Sequence, residues 1–168
     1  MPDIIAYGLN VLFCGINPGL FSGAVGHHFA RPGNRFWPSL YASGFTDRLL
    51  SPEEEQQLLK YGCGITNFVE KATAGAADLS NQEIIAGGKQ LVQKVLAYQP
   101  EYLAILGIGA YRKAFSRRTA QVGPQPESIG DTKLWVLPNP SGLNAHYQPQ
   151  DLAELFAELR KEVDRNSE

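Results

Sequence analysis

Val11-Leu12-Phe13-Cys14-Gly15-Ile16-Asn17-Pro18-Gly19 reads as a short buried strand running into a rigid turn. Four apolar residues in succession, with no polar alternation, are the pattern of a strand covered on both faces. The glycines and proline that follow specify a tight turn around the amide side chain of Asn17. Three further runs repeat the strand pattern: Ile65 with its neighbours, Tyr102–Leu106, and residues 134–137. Helical patterns lie between and after them. Ser80 and Glu83 form a capping box, and behind it Ile84, Ile85, Leu91, Val92, Val95 and Leu96 make one stripe at helical spacing, closed by Pro100. Leu152, Leu155, Phe156, Leu159 and Val163 repeat the stripe near the end, and weaker helices are predicted over 35–42, 52–59 and 110–117. Strands alternating with helices predict an α/β fold, with a short central parallel sheet covered on both faces. Sheets of this kind bind ligands beyond the carboxyl ends of their strands.

The length of 168 residues fits a single domain spanning 1–168, and 43% hydrophobic with 10% aromatic residues supplies a core that excludes disorder. No apolar run approaches the ~18 residues of a membrane span. The N-terminus lacks a basic segment followed by an apolar stretch, so a cytoplasmic location is expected. Cys14 and Cys63 provide neither a disulfide framework nor metal-ligand spacing. The net charge of −2 hides an asymmetry, because residues 151–168 carry −3 and the remainder +1. A bulk basic footprint is absent, so any contact with nucleic acid must be local. Arg112, Lys113, Arg117 and Arg118 form one local cluster, which reads first as a solvated helix face and second as a nucleic-acid contact.

The strand ends carry the chemistry. Asn17 stands either in an ordinary strand-to-loop turn or at the mouth of a crevice, with backbone N–H groups expected around it. The segment 20–37 that follows is long, glycine-rich and studded with aromatics. Phe29 in it offers a stacking face, and Phe36 and Trp37 are expected to anchor the next helix. His27 and His28 have no Glu or Cys partner at ligand spacing, so no metal site is expected. After the last strand, Pro138-Asn139-Pro140-Ser141-Gly142-Leu143-Asn144 places an apolar residue beyond the sheet. Leu143 either folds back onto the helix at Leu152 or stands out as a wedge that enters a base stack. Gly107-Ile108-Gly109-Ala110-Tyr111-Arg112 lacks the third glycine and the acidic partner of a dinucleotide site. No phosphate-binding loop or nucleophile elbow occurs.

The pair Gly15-Ile16-Asn17-Pro18-Gly19 and Asn139-Pro140-Ser141-Gly142-Leu143 resembles the mismatch-specific uracil/thymine DNA glycosylases of the uracil-DNA glycosylase superfamily. The resemblance extends over residues 11–159, through Gly26-His27-His28-Phe29, Pro32-Gly33-Asn34-Arg35-Phe36-Trp37 and Gly64-Ile65-Thr66-Asn67-Phe68-Val69-Glu70. The bacterial branch suits the length, while His27-His28 and Asn67 look like the eukaryotic thymine-processing branch. The resemblance implies a three-layer α/β/α sandwich and a monomeric enzyme that needs no metal or cofactor. The implied reaction is hydrolysis of the N-glycosidic bond of uracil opposite guanine in double-stranded DNA, with ethenocytosine and, more weakly, thymine as further substrates. It implies Asn17 and Thr73 as catalytic residues and Ile16, Ser22, His28, Phe29 and Asn67 as substrate-binding residues. Ser141, Gly142, Leu143 and Asn144 are the implied DNA contacts.

An amide cannot serve as a general base, so Asn17 could only orient water through its carbonyl oxygen, with Thr73 helping to hold that water. Slow turnover is therefore expected. Two departures from the bacterial pattern, Ala145-His146 after the wedge and Asn67 in place of a lysine, bear on the order of substrates. Two rival readings are a non-catalytic lesion-binding module and a hydrolase of free nucleosides. Leu143 argues against the second, because a small substrate leaves no stack to fill.

Overall fold

In the computed structural model, which describes residues 1–167, the opening run forms β1 (Val11–Gly15), and every residue of it is buried. Three more strands arise where apolar runs predict them: β2 (Cys63–Asn67), β3 (Tyr102–Leu106) and, after one unforeseen strand, β5 (Thr132–Leu137). These four are parallel, β1 lying between β2 and β3, with β5 beyond β3. The unforeseen strand, β4 (Gly123–Ile129), runs antiparallel along β5 and completes the order β2-β1-β3-β5-β4. Pro124 and Pro126 hide it from a propensity reading, because proline cannot donate to a ladder. An edge strand tolerates them, and the pairing register shifts between Pro124 and Ser128. The chain crosses from β2 over β1 to β3, so the sheet has its switch point at the carboxyl end of β1.

Five α-helices accompany the sheet: α1 (Leu20–Val25), α2 (Phe36–Ala42), α3 (Asn81–Tyr98), α4 (Ile108–Ala114) and α5 (Pro149–Asn166). α1 lies inside the segment whose composition reads as loop. Where the sequence predicts a helix over 52–59, residues Pro52–Tyr61 form 3₁₀ turns kinked at Glu54, whose carboxylate accepts the Ser51 N–H at 3.1 Å. Alternate residues of the strands feed two cores. Phe13, Ile65, Ala104 and Leu137 face α2 and α5, where Phe36, Leu40, Phe156 and Leu159 are buried. Leu12, Cys14, Leu103 and Val136 face α3 and α4, where Leu91, Val95 and Tyr111 are buried. Edge-to-face packing of Phe13 on Phe36, 5.4 Å between ring centres, ties the first strand to α2.

The buried stripe of α3 is narrower than its apolar pattern, since Ile85 and Leu96 are 40% and 45% exposed. Glycine takes their place: Gly87 and Gly88 are buried, and a Cβ on Gly87 would lie 2.2 Å from the Phe68 carbonyl oxygen. The backbone of α3 thus lies directly on the segment leaving β2. Part of the basic cluster serves the fold, with Arg112 donating to the Ala120 carbonyl at 2.6 Å and Arg117 pairing with Glu127 at 2.9 Å. Among the described residues no helix is long and apolar enough to cross a membrane.

Candidate active site

The strand ends of β1 and β2 do not separate into independent loops. Phe68 N–H donates to Gly15 O at 2.9 Å, Val69 N–H to Ile16 O at 3.0 Å and Thr73 N–H to Pro18 O at 3.1 Å. This zipper brings the 71–75 segment against the turn at Asn17. The Asn17 Nδ2 group donates to Lys71 O and to Thr73 Oγ1, both at 2.8 Å. Carbonyl and hydroxyl acceptors therefore surround the amide, rather than the N–H groups expected from the sequence. The geometry has a direct consequence. With both amide protons committed, Oδ1 is the atom left to meet a ligand. Thr73 donates its own hydroxyl proton to Gly75 O at 2.7 Å, so its hydroxyl locks the Asn17 amide and has no proton left to give a water.

A pocket of about 180 Å³ opens at this point, lined by Ile16, Asn17, Thr73 and Asn67 from the two zipped segments. Ser22, His28 and Phe29 form a second wall, and Ser141 and Leu143 stand at the rim. Its floor is Gly15, where a Cβ would lie 2.6 Å from Asn67 Oδ1 and 3.2 Å from the Phe29 ring, so glycine keeps the pocket open. Phe29 adopts φ 52°, a left-handed conformation that bulky residues rarely take, and stacks on Phe36 with ring centres 4.2 Å apart. His28 is 2% exposed, and its Nε2 meets the Pro2 carbonyl at 2.9 Å. A carbonyl only accepts, so Nε2 carries the proton. Ser22 accepts the Ala30 N–H at 3.0 Å, which makes it a fastening for the Phe29 wall from α1. Cys14 and Cys63 are buried in the strands, where burial pushes the Cys63 thiol up to about 12 and Cys14 higher, so neither supplies a thiolate.

Leu143 does not fold back onto α5; it is 75% exposed. Its turn is built internally: Ser141 N–H donates to Asn139 Oδ1 at 3.0 Å and Leu143 N–H to Ser141 Oγ at 3.2 Å. The structure does not bring all four predicted DNA contacts to the pocket. Gly142 lines an adjoining cleft with Arg31 and Gly33. The Asn144 side chain braces the turn, donating to Asn139 O at 3.1 Å and accepting the His146 N–H at 3.0 Å.

Three features escape the sequence reading. Arg35 donates to the carbonyls of Gly142, Asn144 and Tyr147 at 3.1, 3.1 and 2.6 Å and so clamps the turn that carries Leu143. Met1 lines the pocket, held there by pairing of Ile4 with Ile65 and by the 2.5 Å bridge between Asp3 and Lys94. Glu55, buried among the 3₁₀ turns, reaches the His27-His28 pair. Of the three, Glu55 alone leaves a local signal, a carboxylate three residues from the buried Leu58 on a face that packs inward. No cluster of three metal-ligating side chains occurs among the described residues.

The fold and site together define an α/β protein with a small pocket at the switch point of its sheet, beside an exposed apolar finger. The family model of the uracil DNA glycosylase superfamily matches residues 2–160, and the chain belongs to that superfamily. Membership places it among the DNA glycosylases, hydrolases that act on DNA. The chain is also similar to the solution NMR structure of a protein from Methanosarcina acetivorans, described as a candidate uracil DNA glycosylase. The two share 18% identity over 95% of this chain and 96% of the other, with a TM-score of 0.59, which matches the fold.

Proposed function

We propose that this protein is a monofunctional, mismatch-directed glycosylase that hydrolyses the N-glycosidic bond of uracil opposite guanine in double-stranded DNA. Ethenocytosine is a further substrate, thymine a weaker one, and the enzyme acts as a monomer. The observation that carries the reading is the pairing of a pocket of about 180 Å³ with the exposed Leu143 at its rim. A base must leave the helix to enter such a pocket, at a cost of about a few kcal/mol that is lowest for a mismatched base. Leu143 fills the vacated stack, and Ser141 meets the backbone beside it. In the pocket the base lies against Phe29, while Asn67 offers both a donor and an acceptor to its edge.

Cleavage leaves negative charge on the departing base and positive charge on the sugar. Donors at the strand end, the Ile16 backbone and Asn67, stabilise the first. The free Oδ1 of Asn17 orients the water that attacks the second, and the proton this water sheds goes to the departed base anion or to solvent. An amide removes no proton at this stage, so the reaction leans on a labile base and runs slowly.

The test is alkali-induced strand scission after incubation with labelled duplexes carrying uracil–guanine, uracil–adenine, thymine–guanine and ethenocytosine–guanine pairs, and with single-stranded uracil. Uracil–guanine is expected to be cleaved fastest. Scission on none of them, with binding retained, makes the protein a lesion-binding module instead.

A further inference from the structure

Glu55 is 6% exposed, a buried carboxylate that the proposed reaction does not use. Its Oε2 meets His27 Nδ1, and its Oε1 accepts the His28 backbone N–H at 3.2 Å. A buried carboxyl group is unfavourable without hydrogen-bond partners, so both contacts are needed where it lies. The same short segment is gripped from two other sides. Trp37 Nε1 donates to the His28 carbonyl at 3.1 Å, and Ser22 Oγ accepts the Ala30 N–H at 3.0 Å. Between these grips sits Phe29 in its left-handed conformation, φ 52°, which a free chain would abandon.

We infer that Glu55 is a positioning residue for the base pocket: acting through His27 and His28, it holds the Phe29 ring and the His28 imidazole as the wall against which the extruded base stacks. This rests on the reading of the pocket given above. Glu55 lies outside the pocket lining. Its effect reaches the chemistry only through the geometry of that wall, and a misplacement of ~1 Å at a reacting site costs about 10²-fold in rate.

The experiment compares wild type with E55A and E55Q in two measurements on the full chain. One is single-turnover uracil release from a uracil–guanine duplex, alongside affinity for the same duplex made uncleavable by 2′-fluorination. The other is hydrogen exchange of the two tryptophan indole N–H groups by NMR. Trp37 reports on the segment through its bond to His28, and Trp135, buried without a partner, reports on the rest of the core.

E55A is expected to lose about 10²-fold in release, to bind the uncleavable duplex within about threefold of wild type, and to exchange Trp37 faster with Trp135 unchanged. E55Q, which keeps one acceptor oxygen, should recover about tenfold. Unchanged exchange at Trp37, faster exchange at both indoles, or release within about threefold of wild type each overturns the proposal. If wild type itself releases no base, the glycosylase reading fails, and exchange at Trp37 against Trp135 still decides whether Glu55 holds the segment.

Discussion

Asn17 has its amide orientation set by two acceptors, Lys71 O and Thr73 Oγ1, each at 2.8 Å. Replacement by alanine removes the water-facing oxygen without touching the zipper of backbone bonds around it. N17A is therefore expected to lose about 10²–10⁴-fold in base release while binding duplex normally, read by single-turnover cleavage and by titration of an uncleavable duplex. Release within a few-fold of wild type would reduce Asn17 to a turn residue. Leu143 makes the opposite kind of contribution. Its proposed work is apolar filling of a gap that exists only in a duplex, worth roughly 1.5–3 kcal/mol when complete. L143A should thus lose about tenfold or more on uracil–guanine duplex and little on single-stranded uracil. Equal losses on both would assign Leu143 to the pocket or the fold. Both residues are legible in the sequence because glycine and proline write the shape of a turn into its immediate neighbours. Arg35 is not, since its partners lie 107 to 112 positions away and leave no local pattern. Glu55 is legible only as an inward-facing carboxylate, because its partners 27 and 28 positions away leave no trace beside it.

At the scale of elements, the parallel strands are legible because burial on both faces forces continuous apolar runs. β4 is illegible for the converse reason: an edge strand can carry prolines and keep a mixed burial pattern. The apolar stripe of α3 misleads in another way, marking Ile85 and Leu96 as core where the actual contact is made by glycine. That contact gives a prediction with a matched control. A glycine in an open helix position gains up to ~1 kcal/mol on replacement by alanine. Gly109 in α4 has open space where its Cβ would stand, so G109A should melt slightly higher than wild type. At Gly87 the Cβ would lie 2.2 Å from a backbone carbonyl, and overpacking of about 1–3 kcal/mol outweighs the propensity gain. G87A should melt several degrees lower, and because Phe68 follows Asn67 directly, it should slow base release as well. Thermal melts of the two variants, one up and one down, check the assignment.

For the whole molecule, the balance of charge limits how DNA is held. Residues 1–150 carry +1, and parts of the one basic cluster are tied to the Ala120 carbonyl and to Glu127. Few phosphates can then be neutralised, on the order of three to five, and log affinity should fall against log salt with a slope of about −3 to −5. A slope near −8 would reveal a basic surface that charge counting misses. The N-terminal segment has a practical consequence of another kind. Met1 lines the pocket, and Pro2, Asp3 and Ile4 are each fastened beside it, so bulk attached at Met1 would crowd the mouth through which a base must enter. The far end of α5, where Asn166 meets the Tyr102 hydroxyl at the start of β3, lies at the opposite end of the strands from the pocket. A fluorescent reporter, or a tether to a sensor chip for screening damaged oligonucleotides, belongs there.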